Sequence, residues 1–347
     1  MAQIVLEDVS FTYPGSDTPV IDRLNLSVGD GEAHALLGAS GAGKTTLLSL
    51  LSGILTPTSG VIRFAGEEVT QLDGRRRKVA QVFQFPVLYD GLSVADNLWF
   101  PLRMEGRSRN DSSQRIHEVA AELGLEQYLS QSVPSLSLYQ KQLLAVGKAL
   151  VRTDTSLVLL DEPLTAVAPR DKWMLRQVLK KAQHDFGTTM IYVTHDQTEA
   201  LTFADQVSIL TAQGIEQTGT PQEIYERPRT PFVGHFVGSP GMNFLPGAVA
   251  GQTDVDVVGF RPEWATVVEP TTEGARLEAL ITGIDPGSTV ADEPYGIVRC
   301  TLTESRHDLA IATPLRWPVG AHIGVKLDRT EGYADGVRVD QAGEAWG

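Results

Sequence analysis

Two patterns alternate along the first two-thirds of the chain. Short, predominantly apolar runs at 33–37, 156–160 and 188–193 are what a strand shows when helices cover both of its faces, as in a parallel sheet. Between them, apolar residues recur at helical spacing over 47–53, 143–151, 172–186 and 115–125, where Ile116, Val119, Ala120 and Leu123 share one face. Residues 88–150 read as mostly helical. Residues 1–30 read as short alternating strands at 4–6 and 24–28, joined through a Pro14-Gly15 turn. Two more strands follow at 61–64 and 79–84, the second ending on the polar Gln84. From about 236 the pattern changes to short alternating segments broken by Pro and Gly, at 254–260, 276–284, 296–302 and 321–327. The pattern predicts an α/β domain over 1–235 and a separate all-β domain over 236–347.

Length agrees, since 347 residues suit about two domains. Net charge is −14, and the second domain alone holds 8 basic against 16 acidic residues. Such a surface repels phosphates and argues against nucleic-acid binding. The basic run Arg75-Arg76-Arg77-Lys78 is then expected to be a solvated turn. One cysteine, Cys300, rules out an internal disulfide framework and suits a reducing compartment. The start carries early acids and no basic segment, unlike a secretory signal, and no apolar run reaches the roughly 18 residues that span a bilayer. The expectation is a cytoplasmic protein whose membrane work goes through a partner.

The chemistry gathers on Gly38-Ala39-Ser40-Gly41-Ala42-Gly43-Lys44-Thr45-Thr46, which fits G-x-x-x-x-G-K-[ST] between an apolar strand and a helix. The glycines let backbone N–H groups turn inward around phosphates, and the helix adds its positive end. Lys44 would reach the β- and γ-phosphates and Thr45 would ligate Mg²⁺. Two further strands end in polar tips, Asp161-Glu162-Pro163 and Thr194-His195-Asp196, on the sheet edge where open α/β sheets bind ligands. Gln84 either reaches the cation or the attacking water, or is a solvated strand end. Tyr13 either stacks on adenine or is a half-buried strand-end tyrosine.

Taken together, Tyr13, Gly38 to Thr46, Gln84, Leu136-Ser137, Leu159-Leu160-Asp161-Glu162-Pro163 and Thr194-His195-Asp196 resemble the ATP-binding subunit of ABC transporters, specifically the maltose-type carbohydrate importers. The likeness continues through Gly219-Thr220-Pro221-Gln222-Glu223-Ile224-Tyr225, Gly238-Ser239-Pro240-Gly241-Met242-Asn243-Phe244 and Gly259-Phe260-Arg261-Pro262-Glu263. Residues 82–103 (VFQFPVLYDGLSVADNLWFPLR) look most like the paired ATPase subunits of bacterial glycerol importers. The resemblance implies a P-loop NTPase domain with a helical subdomain at about 88–150, then a small OB-type β-barrel for regulation or dimerisation. It implies ATP and Mg²⁺ as cofactors, with Thr45, Gln84 and Asp161 holding the cation directly or through water. Glu162 would orient and deprotonate the attacking water, and His195 would sense the γ-phosphate. Implied partners are two membrane permease subunits, on which 88–103 would dock, a second ATPase subunit and, indirectly, an extracytoplasmic substrate-binding protein. The implied place is the cytoplasmic face of the membrane.

The chain departs from that family at two points. Leu136-Ser137-Leu138-Tyr139-Gln140 stands where members carry Leu-Ser-Gly-Gly-Gln, and Ala168 stands where they place an aspartate. Two glycines allow close backbone approach to a phosphate at a helix N-terminus, and Leu138 and Tyr139 put side chains there. Both departures fall in parts that act across a dimer. The expectation is one half of an asymmetric ATPase pair; the alternative is a homodimer with slow turnover. Two other classes compete, a non-transport ABC regulator and a module with a structural ATP site. Non-transport ABC proteins usually carry tandem ATPase units or basic insertions, and this chain has neither. Retention of Glu162 and His195 argues against the structural site.

Overall fold

The computed structural model describes residues 2–274, 277–290 and 293–339. They divide into two compact units after Pro221.

The first unit is built on a six-stranded sheet with order β10-β9-β3-β8-β7-β6. Its strands are β3 (Ala33–Gly38), β6 (Val79–Val82), β7 (Leu157–Asp161), β8 (Met190–Thr194), β9 (Gln206–Thr211) and β10 (Gly214–Gly219). All neighbours run parallel except β9 and β10. As the predominantly apolar runs require, every residue of β3 and β8 is buried. A smaller antiparallel sheet holds β1 (Ile4–Phe11), β2 (Ile21–Val28), β4 (Ser59–Phe64) and the short β5 (Glu67–Glu68). Helix α1 (Lys44–Ser52) buries Leu47, Leu48, Leu50 and Leu51 in the core that joins both sheets. Leu37 lies opposite Thr194, and Asp161 opposite Val193. The register therefore brings the loop after β3 and the tips of β7 and β8 to one edge.

The solvated turn expected at Arg75-Lys78 holds for Arg75, Arg76 and Lys78, which are exposed, but not for Arg77. Helix α2 (Gly74–Arg77) is a single turn, and Arg77 is 2% exposed. Its guanidinium donates to the carbonyls of Leu50, Leu51, Thr70 and Leu72. The first two are end-of-helix carbonyls of α1 that have no partner within the helix. Arg77 is thus the one member of the run with a structural role inside the core.

The helical region comprises α3 (Val94–Met104), α4 (Arg109–Glu122) and α5 (Leu138–Leu150), with two 3-10 turns between the last two. α5 starts at Leu138, earlier than apolar spacing implied, because Ser137 caps it. The Gln140 N–H donates to Ser137 Oγ at 3.3 Å, and Gln140 Oε1 accepts from the Ser137 N–H at 2.8 Å. The strand expected to reach Gln84 stops at Val82. Gln142 of α5 donates to the Phe83 carbonyl at 3.2 Å, so the chain leaves the sheet edge toward the helices. Two further helices, α6 (Pro169–Phe186) and α7 (Gln197–Phe203), follow the tips of β7 and β8. No helix of the described residues is long and apolar enough to cross a membrane.

The second unit starts earlier than the 235/236 boundary suggested by composition. Helices at Pro221–Glu226 and Pro231–Phe236 are tied into it by Arg261, which is fully buried and donates to the carbonyls of Tyr225, Gly234 and Val237. Tyr333 adds a hydroxyl bond to the Pro228 carbonyl. All its strand pairings are antiparallel, in one four-stranded and one five-stranded sheet. Phe260, Ala279, Val298, Ile311 and Val325 lie in its core. Arg276 and residues 340–347, which belong to the segments expected from the sequence, lie outside the described residues.

Candidate functional site

The loop from Gly38 to Gly43 turns between β3 and α1, and its glycines are set by geometry. Gly43 caps α1 at φ +89°, and an added Cβ would come within 2.9 Å of Ile21 Cδ1. At Gly38 a Cβ would meet the Leu210 carbonyl oxygen at 2.5 Å. At Gly38 the fixed carbonyl leaves no room for a side chain; at Gly43 the Ile21 methyl could give, and the left-handed backbone is what favours glycine.

Lys44, the first residue of α1, is 9% exposed. Its Nζ donates to the carbonyls of Gly38 at 2.7 Å and Ala39 at 2.9 Å, so the loop wraps its own ammonium. Burial pulls the ionisation of Lys44 down, and the charges of Glu162 and Asp161 push it back up. Asp161 is raised by burial and by Glu162, against the pull of Lys44. Two carboxylates thus share one ammonium in a half-buried setting, which leaves room for additional positive charge.

Glu162 follows β7 with φ +45°, a left-handed backbone that costs a non-glycine residue roughly 1–2 kcal/mol. The turn is pinned by its N–H, which donates to the Val193 carbonyl at 2.9 Å. The carboxylate is held at both oxygens. Thr165 Oγ1 donates to one at 3.1 Å, and His195 Nδ1 lies 2.9 Å from the other. Strain held in place by specific bonds is common at functional sites.

These groups face one cavity of about 600 Å³, lined by Ser40, Gly41, Gly43, Lys44, Thr45, Thr46, Asp161, Glu162 and His195, with Val20 and Val193. Of the other residues named from the sequence, Gly38 and Ala39 supply the carbonyls that hold Lys44, and Ala42 is buried beneath the loop. Tyr13 stands beside the cavity without lining it. It is 43% exposed, edge-on to Phe11, with its hydroxyl 3.1 Å from Thr46 Oγ1. Gln84 sits in the bend after β6 and does not line the cavity.

The sequence reading missed Val20, Val193 and Thr165. It also missed Glu199, a carboxylate 2% exposed behind His195. Its signal was a charged residue on the inner face of a seven-residue helix.

Comparison with known proteins decides what this constellation belongs to. A family model described as ABC transporter matches residues 21–165. The sn-glycerol-3-phosphate import ATP-binding protein UgpC of Ruegeria sp. is 39% identical over 282 residues, 81% of this chain and 80% of that protein. The chain belongs to the ATP-binding subunits of carbohydrate-uptake ABC importers. The trehalose import ATP-binding protein SugC of Mycobacterium tuberculosis is 42% identical over 289 residues, 82% of this chain and 72% of its own length. The UgpC 2 protein of Rhizobium johnstonii is 35% identical over 350 residues and spans both units, covering 98% of this chain and 100% of its own length. Among solved structures, cbiO1 of Clostridium perfringens, part of the ABC transporter complex cbiONQ, superposes with a TM-score of 0.60. It is 26% identical and covers 65% of this importer ATPase and 90% of that chain. A dimeric ATP-binding cassette in a post-hydrolysis state bound to ADP and Pi gives a TM-score of 0.55 at 26% identity, covering 63% of this chain and 98% of its own. The importer ATPase therefore couples ATP hydrolysis to transport.

Proposed function

We propose that this ATPase drives uptake of glycerol or a related polyol or sugar through two permease subunits at the cytoplasmic face of the membrane. The observation that carries the catalytic reading is the convergence of Lys44, Asp161, Glu162 and His195 on one cavity of about 600 Å³. The names of the relatives, which import sn-glycerol-3-phosphate or trehalose, support the substrate class.

Phosphoryl transfer asks a protein mainly to position groups and to neutralise charge. Lys44 and the loop N–H groups take the phosphates. Glu162 stands at the cavity wall as the base for water, and His195 lies against it. Thr45 and Asp161 would hold Mg²⁺, with Gln84 entering from the neighbouring bend. The pair Asp161 and Glu162, short of positive charge, suits that cation. Bound there, Mg²⁺ would act as a Lewis acid on the phosphate oxygens.

The chain acts as one half of an asymmetric ATPase pair. Leu138, 40% exposed, and Tyr139 occupy the start of α5, where a partner's triphosphate would need close backbone approach. Docking on permeases uses residues 88–103, after Gln84. Tyr89 is exposed there and braced by Asn97, by the Phe100 ring at 4.3 Å and by Lys148 at 4.6 Å, and Phe85, Val87 and Met104 are exposed at the borders of the segment.

The test is ATP turnover by the purified chain, alone and with its permeases and second ATPase subunit, for wild type and Glu162→Gln. The reading expects slow turnover alone, full turnover in the complex, and loss of turnover with retained ATP binding in the variant. Equal turnover by Glu162→Gln would remove the catalytic assignment. Robust turnover by the chain alone would remove the asymmetric one.

A further inference from the structure

A carboxylate buried to 2% exposure is costly unless its oxygens are fully engaged, and Glu199 engages both. Tyr192 donates to one oxygen at 3.0 Å and Thr194 donates to the same oxygen at 2.9 Å. Lys172 Nζ holds the other at 3.2 Å. The Tyr192 phenol keeps its proton and donates it; burial, and then Glu199 itself, push its ionisation well above the ordinary value. Thr194 in turn accepts from the Asp196 N–H at 2.9 Å, and Asp196 caps α7 by accepting from the Glu199 N–H at 3.1 Å. The bonds through Thr194 and Asp196 therefore fix the three-residue turn whose middle residue is His195, and the Tyr192 bond anchors Glu199 to β8.

The bond on the other side goes to α6. Lys172 sits in the first turns of that helix, just after the segment 164–168 that follows Glu162. The path closes on itself: Glu162 to His195 at 2.9 Å, His195 through Thr194 to Glu199, Glu199 to Lys172 at 3.2 Å, and back along 164–171 to Glu162. Within that ring Glu199 is the member that joins the two covalent segments from behind the cavity.

We infer that Glu199 is a positioning residue for ATP hydrolysis, setting His195 against Glu162 and tying both to the start of α6 through Lys172. The inference rests on the catalytic reading of Glu162 and His195. It assigns Glu199 no contact with nucleotide; Glu199 fixes where the acting groups stand. Lys172→Met leaves Glu199 its hydroxyl donors but cuts the link to α6. Glu199→Gln keeps an acceptor for Tyr192 and Thr194 and turns a neutral amide toward Lys172.

The experiment measures ATP binding, turnover number and KM in the assembled transporter for wild type, Glu199→Gln, Lys172→Met and Lys172→Arg. Glu162→Gln serves as the control for the catalytic reading. The expected result is unchanged ATP affinity, a turnover number lowered by about 10- to 100-fold in Glu199→Gln and Lys172→Met, and recovery in Lys172→Arg. If Glu162→Gln abolishes turnover while Glu199→Gln and Lys172→Met run at wild-type rate, the positioning role is overturned and the catalytic reading stands. If Glu199→Gln fails to fold, Lys172→Met decides, since Lys172 is partly exposed. A lower melting temperature with an unchanged turnover number in that variant would show a merely structural bond.

Discussion

His195 Nδ1 lies 2.9 Å from Glu162 Oε1, although the two residues sit on different strand tips 33 positions apart. The parallel register of β7 and β8 sets that distance, because Asp161 pairs with Val193 and Glu162 and His195 are each the first residue beyond their strand. On the proposed reading, a histidine in this place would orient the carboxylate and meet the γ-phosphate. His195→Ala should cut turnover by about 10²-fold or more while ATP affinity changes by less than about threefold. Steady-state kinetics with parallel nucleotide titration would check it.

The Asp161 carboxyl is raised by burial and by Glu162. A raised carboxyl stabilises the fold below the unfolded pKa of ordinary aspartate, about 4. That contribution is lost as pH climbs through the higher folded value. Above that window the ionised carboxylate opposes folding of the nucleotide-free protein. Asp161→Asn should therefore raise the melting temperature at neutral pH, with the gain fading as pH falls through the raised folded value and gone below about 4. Its Mg²⁺-dependent turnover should be lost in the same preparation. Thermal melts across pH, paired with ATPase assays, would show both.

Arg77 predicts a stability effect far from the chemistry. Its guanidinium serves four backbone carbonyls, two of them at the end of the helix that carries Lys44. The Leu50 carbonyl also accepts from the Gly53 N–H, but Arg77→Met would remove the donor from the other three at about 1–3 kcal/mol each where they stay buried, and a net loss of several kcal/mol is expected. Arg77→Lys should recover only part, because an ammonium cannot span the same four carbonyls. Urea unfolding followed by far-UV circular dichroism gives the comparison.

Gly43 tests the loop geometry. Ala at that position meets a left-handed backbone and a contact of 2.9 Å with Ile21 Cδ1. Gly43→Ala should cost roughly 1–2 kcal/mol of stability, and ATP should bind more weakly because the loop N–H groups move. Calorimetric titration with ATP, together with a melting curve, separates the two effects.

Much of the site was legible because its signals are local. A glycine-rich loop between an apolar run and a helix, and acids at the tip of a run buried on both faces, can be read without knowing what packs where. What escaped depends on contacts distant in sequence. Arg77 reads as one of four basic residues until the end of α1 arrives beside it. The end of the strand before Gln84 is decided by Gln142, 59 positions on from the carbonyl it bonds. Glu199 looks like a surface acid until Tyr192, Thr194 and Lys172 surround it. The second unit begins near Pro221 because Arg261, far downstream, gathers the carbonyls of Tyr225, Gly234 and Val237. Composition alone carries no trace of that.

The account stands on the Lys44 ammonium, wrapped by its own loop and facing two carboxylates, as the group that takes the phosphates. Equilibrium binding of ATP to the purified chain, wild type against Lys44→Ala, tests this most directly. The account predicts an affinity loss of about 10²-fold or more, since a charge-assisted contact in a shielded site is removed. Equal affinity in the folded variant would contradict it.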